Sequence, residues 1–314
     1  MKHPNILLIH ADQHRADCLG CMGNPDVKTP QIDALAADGV RHTRHYTVCP
    51  VCTPSRYSML SGLYPHQHTG WTNVSSIPSH TRTFPKMLKQ AGYHTAAVGK
   101  MHMSPTYLDI GFDELTLAEQ CGVGRYEDEY HEMLADKGKI DAVDVRDQVL
   151  EVRAHASADY FASFGAEESD LPLSEYSTEW ITEQALSEIQ NWNHEGGRFL
   201  MVGYVKPHHP FDPPAPYSTM YDPDKLTLLP DFTAENLPVD YARNPGYFDM
   251  KTLTEPALRK AMALYYGCIT EIDDGVGRLV AALKEAGLYE NTMIIYTSDH
   301  GEFLGCHHML LKGN

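Results

Sequence analysis

The chain has 314 residues, enough for one large α/β domain or two ordinary ones of about 100–200 residues each. Lys and Arg number 25 against 42 Asp and Glu, a formal net charge of −17 that repels phosphate backbones and anionic headgroups, so nucleic acid and membrane surfaces are poor partners. Hydrophobic residues make up 42%, as expected of a soluble globular chain, and no run approaches the roughly 18 apolar residues that a membrane span needs.

The N-terminus reads MKHPNILLIHADQ, a single Lys before a short apolar run that ends on charge with no small-residue cleavage site, which argues against a secretory leader. With Met1 as the start, the expected compartment is the cytoplasm, where seven cysteines, an odd number, stay reduced. Asn5 to Ala11 (NILLIHA) predicts a first buried strand. Thr29-Pro30 opens a helix, with Thr as N-cap and Pro at the first helical position, and Gly39 closes it. A helix from about Thr83 to Gly92 leads to a second strand, Thr95 to Gly99. Asp113 to Asp170 holds 16 acidic residues against 5 basic, with weak helical patterns, and reads as a solvated insertion beside the core. A helix from about Ser177 to Trp192 precedes a third strand, Arg198 to Val205. Pro207 to Pro245 contains nine prolines, which forbid regular structure in a stiff loop that extends to about residue 250. The longest helix carries Leu258, Met262, Tyr265, Ile269, Ile272, Val276, Leu279 and Leu283 at spacings of three and four, a stripe suited to packing on a sheet. Thr292 to Thr297 is the fourth strand. Each strand is a compact apolar run, the pattern of a parallel sheet covered on both faces.

Strands alternating with helices predict an α/β fold with a mainly parallel central sheet. Ligands in such sheets bind beyond the carboxyl ends of the strands. The residues there are Asp12-Gln13, Lys100-Met101-His102, Lys206-Pro207-His208-His209 and Asp299-His300. Acids, an amide, lysines and histidines from four strands thus reach one rim, as a site requires. The sharpest local signal is Cys52-Thr53-Pro54-Ser55-Arg56. A cysteine just ahead of a Pro-initiated helix sits where the helix dipole and free backbone N–H groups favour an anion. Arg56, four residues on, lies one turn above it on the same face.

The run CTPSR resembles the signature of the type I sulfatases, in which the cysteine is oxidised after translation to formylglycine, an aldehyde whose hydrate is the nucleophile. Further segments are similar to that family in the same order: VKTPQIDALAADGVRHTRHY to its first helix and following strand, GLYPHQHTG to its post-signature segment, VGKMH to its lysine–histidine motif, KPHHPF to its mid-chain histidine motif and TSDHGEFLG to its second metal motif. The resemblance implies an alkaline-phosphatase-like fold. It also implies that residues 1–314 are the N-terminal α/β domain of a family that continues into a smaller C-terminal subdomain.

Carried onto this sequence, the family's metal ligands are Asp12, Gln13, Asp299 and His300, with modified Cys52 supplying another oxygen. Where many sulfatases have a second Asp, Gln13 resembles the choline-sulfatase and phosphonate-monoester-hydrolase branches; an amide oxygen still ligates a hard cation. An oxygen-rich shell favours Ca²⁺, with Mg²⁺ or Mn²⁺ as alternatives. The resemblance assigns Arg56, Lys100 and Lys312 to the charge on the ester oxygens, His208 or Lys312 to protonation of the departing alcohol, and His102 to proton removal from the second hydroxyl of the hydrate. Asn73, in the loop after the signature, is a candidate substrate contact.

The function implied is hydrolysis of a sulfate ester, of a carbohydrate by family resemblance, in a protein that needs a formylglycine-generating or anaerobic sulfatase-maturating enzyme as partner. Two alternatives stand beside it: a phosphodiesterase or phosphonate monoester hydrolase on the same site, and a catalytically silent glycan-binding homologue. The pairs Cys18/Cys21 and Cys49/Cys52 also match a zinc pattern. The second pair, however, uses the residue that the sulfatase signature needs. Cys18, Cys21, Cys49, Cys121, Cys268 and Cys306 are then expected as buried or half-buried thiols.

Overall fold

The computed structural model describes residues 3–120, 127–193, 197–243 and 246–312. The apolar runs form the strands β1 (Asn5–Ala11), β2 (His94–Gly99), β4 (Arg198–Tyr204) and β5 (Thr292–Ser298). A further strand, β3 (Glu114–Leu117), was not predicted, because ELTL is short and half-exposed at the sheet edge. All pairings are parallel and the order is β3-β2-β4-β1-β5.

Alternation along the strands sorts side chains onto two covered faces. Leu7, Ile9, Ala96, Val98, Leu200 and Val202 pack with the helices Ser177–Gln190 and Glu255–Glu285 through Ile181, Ala185, Ile272, Val276 and Leu279. Leu8, Ala97, Phe199 and Met201 meet Tyr57, Leu60 and Phe84 from the helices Cys52–Ser61 and Phe84–Gln90 on the other face. The whole predicted stripe from Leu258 to Leu283 is buried. β5 departs from expectation: it is an outer strand whose Met293 and Ile295 are 55% and 39% exposed, so only one of its faces is covered.

Three further expectations change. The acidic stretch is not a solvated insertion. It supplies β3 and the helices Glu129–Asp136, Ala142–Gln148 and Ala158–Ser163; Tyr130, Leu134, Val143 and Tyr160 are buried, and so are Glu119, Asp128, Asp141, Asp144 and Asp147. The proline-rich loop is buried over residues 207–214 and then proceeds by single turns, since its prolines interrupt hydrogen bonding without preventing burial. Residues 40–48 form no strand; Val40 and Tyr46 are 84% and 80% exposed. A strand requires a partner ladder, and among the described residues this run has none.

The helix Pro30–Asp38 begins where predicted, yet the Thr29 hydroxyl does not cap it. Asp273 of the long helix accepts from the N–H groups of Gln31 and Ile32 at 3.1 and 2.8 Å instead, while Thr29 donates to Asp33.

Candidate active site

The register brings the rim together: Ala11 lies opposite both Tyr204 and Ser298, so Asp12 and Asp299 leave adjacent strands side by side. At the end of β2 the Lys100 N–H donates to the Gly203 carbonyl at 2.7 Å. A Cβ on Gly99, whose φ is +89°, would sit 2.1 Å from that oxygen, so only glycine lets β2 and β4 turn this closely into the site.

Helix Cys52–Ser61 begins at Cys52 itself, two residues before the Pro54 that the sequence suggested as its opening. Its first turn points at the rim. The Arg56 guanidinium, fully buried, donates through Nη2 to Asp12 and through Nε to Asp299, each at 3.0 Å, and through Nη1 to the Lys100 carbonyl at 2.6 Å. Lys100 Nζ lies 2.7 Å from Asp12 Oδ2 and donates to Gln120 at 3.1 Å. Burial works against its charge, but Lys100, Arg56 and Lys312 hold the Asp12 carboxyl well below its usual range. Against burial and the repulsion of Asp12, the Arg56 guanidinium pulls Asp299 down to about 2.

Asp12 Oδ1 is turned the other way, 3.6 Å from Cys52 Sγ and 3.6 Å from His300 Nε2. Cys52 Sγ and His300 Nε2 are 3.2 Å apart. Ligand atoms of Asp12, Cys52, Asp299 and His300 all fall within 4.8 Å of one another, and all four residues are buried. His300 Nδ1 faces the Gly301 carbonyl at 3.0 Å; a carbonyl only accepts, so Nδ1 carries the hydrogen and Nε2 turns a bare lone pair inward. Two carboxylates and an imidazole nitrogen therefore suit a divalent cation. The thiol is the discordant donor, soft beside two hard carboxylates. Burial and the Asp12 carboxylate push it up to about 11, so as translated it is a neutral thiol at physiological pH.

Gln13 sits beside this group with φ at +65°. Its amide oxygen accepts from Lys312 Nζ at 2.6 Å and its NH₂ donates to Glu302. Lys312 also contacts His208 Nε2. His208 Nδ1 lies 2.6 Å from the His209 carbonyl, so Nδ1 carries hydrogen, Nε2 is the acceptor and the ring is neutral, in keeping with burial and the charges of Lys312 and Lys100. The His209 ring stacks on His208 with centroids 4.4 Å apart and donates to Asp147 at 2.6 Å. Burial, Lys100 and Arg56 likewise keep His102 well below its ordinary pKa. Its N–H and that of Met101 donate to Glu119.

Asn73 has a partner within the protein: its side-chain oxygen accepts from Thr53 N–H at 3.1 Å and holds the first turn of the Cys52 helix. Cys18, Cys21 and Cys49 stay apart from the cation-sized group, and Cys121 lies outside the described residues. Sequence reasoning missed Glu119, Gln120, Asp147 and Glu302. The first two follow the unpredicted β3, Asp147 lies in the stretch read as solvated, and Glu302 stands two residues after His300 in the motif already singled out.

A sequence model of one protein family, the sulfatases, matches residues 4–313. The chain belongs to the sulfatase family. It is 33% identical to an arylsulfatase of Clostridium perfringens, over 99% of this chain and 65% of the relative. It is also 32% identical to a multifunctional alkaline phosphatase superfamily protein, PehA, of Trinickia caryophylli, over 99% of this chain and 66% of that one. Among solved structures, the phosphonate monoester hydrolase of Agrobacterium radiobacter superimposes with a TM-score of 0.75 at 27% identity, covering 99% of this chain and 65% of the other. The alkaline-phosphatase-like α/β architecture expected from the motifs is therefore the one observed. The chain spans about 65% of the length of these relatives.

Proposed function

We propose that this chain carries the catalytic centre of a sulfuric ester hydrolase, with a carbohydrate sulfate as substrate. The observation that carries the reading is the grouping of Cys52 with Asp12, Asp299 and His300 under the buried cations Arg56 and Lys100. A sulfated-saccharide substrate is supported by the 24%-identical N-acetylglucosamine-6-O-sulfatase of Bacteroides thetaiotaomicron.

Asp12, Asp299, His300 and the Gln13 amide oxygen would hold the divalent cation, taken as Ca²⁺ with Mg²⁺ and Mn²⁺ as alternatives. When bound, it supplies positive charge that polarises the ester oxygens and lowers the pKa of a hydroxyl at residue 52. Oxidation of Cys52 to formylglycine by a maturation enzyme would replace the unreactive thiol by an aldehyde hydrate with one hydroxyl to attack sulfur and a second to let sulfate leave.

The chain's own groups take the remaining roles. Lys100 and Lys312 offset the anionic charge of the sulfate, in a site where low dielectric strengthens each contact. Arg56, fully engaged by two carboxylates and a carbonyl, acts by fixing Asp12 and Asp299. Of the two candidate acids, the His208 tautomer favours Lys312: a neutral ring accepting at Nε2 has no proton to give there, whereas the ammonium beside it does. His102, neutral and buried, is the base for the second hydroxyl.

Phosphonate monoester hydrolysis is the second reading, favoured by the neutral Gln13 and by the structural likeness to such hydrolases at TM-scores of 0.75 and 0.76. Turnover of an aryl sulfate and an aryl phosphonate monoester separates the two; higher kcat/KM on the sulfate is expected, and a large preference for the phosphonate overturns the assignment. Intact-mass analysis of the peptide containing Cys52, from protein matured in its host, should show a loss of about 18 Da relative to the thiol, from H₂S lost and oxygen gained. An unshifted mass with saccharide binding retained indicates the silent glycan-binding alternative.

A further inference from the structure

We propose that Glu302 is a positioning residue that fixes which end of the Gln13 carboxamide faces the cation; the inference rests on the reading of Gln13 as a cation ligand. A carboxamide is nearly symmetric in shape and opposite in polarity at its two ends, so a half-turn exchanges an oxygen that can ligate a cation for an NH₂ that cannot. The backbone of Gln13 is pinned. Its N–H donates to Asp299 at 3.0 Å and its carbonyl accepts from the Tyr265 hydroxyl at 2.7 Å, which together hold a backbone in the left-handed region. These bonds leave the side chain, and with it the rotation of the amide, to other partners.

Two groups set that rotation. Lys312 takes the oxygen and Glu302 Oε2 takes the NH₂. They are not equivalent. Lys312 is a donor competing for the same oxygen as the cation, so its hold weakens when that oxygen is engaged. The Glu302 contact is on the other end and persists. Glu302 is itself immobilised: it is 4% exposed, its Oε1 accepts from Leu304 N–H at 3.1 Å and from Leu311 N–H, and its carbonyl accepts from Arg15 at 2.9 Å. These bonds also anchor the turn that carries Lys312.

The test uses the full chain freed of metal, with Ca²⁺ and Mn²⁺ affinities measured calorimetrically and thermal unfolding recorded without cation. Glu302→Gln keeps an oxygen for Leu304 and Leu311 but turns an NH₂ toward Gln13, whose own amide must then rotate; affinity is expected to fall roughly ten- to hundredfold, as for other groups that orient a ligand. Combining it with Gln13→Glu exchanges donor and acceptor and should bring affinity back toward the starting value. If Glu302→Gln lowers the unfolding temperature and leaves cation affinity unchanged while Gln13→Ala weakens it, the positioning role is overturned. If Gln13→Ala itself leaves affinity unchanged, the ligand reading beneath it fails instead. Should Glu302→Gln not fold, the wild-type Gln13 NH₂ resonances decide. Slow exchange with solvent before and after cation addition supports the role, and fast exchange once the cation is bound overturns it.

Discussion

Arg56 shows how a single residue organises this site. Its three donor nitrogens reach Asp12, Asp299 and the Lys100 carbonyl, so three strand ends are tied to one turn of helix. Removing one partner of such a buried set strands the other charges, which costs roughly 3–5 kcal/mol. Asp299→Ala is therefore expected both to destabilise the protein and to abolish cation binding; elemental analysis of the purified variant checks this, and full metal content would sink the ligand assignment. Cys52→Ala makes the opposite demand. The side chain is small and sits in a cluster held by other groups, so turnover should fall to background while the circular dichroism spectrum and thermal midpoint stay near those of the wild type. Loss of folding would mean that residue 52 serves packing rather than chemistry.

At the scale of elements, helix Pro30–Asp38 is capped by the long helix rather than by its own flanking threonine. Burial pushes the Asp273 carboxyl up to about 6, only partly offset by the two N–H groups it accepts. The folded state thus binds this proton more tightly than the unfolded chain, so the group's contribution to stability falls as pH rises from about 4 to about 6. Asp273→Asn keeps an acceptor and removes the titration. The variant's unfolding midpoint should fall less steeply than the wild type's across that interval, and parallel slopes would show that Asp273 is not the group responsible.

For the molecule as a whole, the sheet decides where truncation hurts. Leu200 lies on β4, between β2 and β1, and is fully buried, whereas Met293 on the outer strand β5 is 55% exposed. Leu200→Ala should cost about 2–5 kcal/mol, by lost transfer energy and a residual cavity. Met293→Ala should stay within about 0.5 kcal/mol. Equal losses in urea unfolding would mean that β5 is as enclosed as the centre of the sheet.

Local chemistry made much of this protein legible in its sequence. Apolar runs marked strands because a sheet covered on both faces admits little else, and the stripe from Leu258 to Leu283 marked a helix because spacings of three and four suit nothing but a helix with one buried face. Asp12, Lys100 and His300 were legible too, because a parallel sheet delivers whatever follows its strands to one rim, and Cys52 and Arg56 because the CTPSR run stands out by itself. What escaped was whatever depends on a distant partner. The carboxylates of Asp147 and Glu119 looked solvated until His209 and the backbone N–H groups of Met101 and His102 appeared beside them. Thr29 looked like a cap until Asp273 arrived from 244 residues away on the long helix. Sequence determined which side chains stand at each strand end; only the tertiary structure decided their hydrogen-bond partners, because burial and charge act through space and not along the chain.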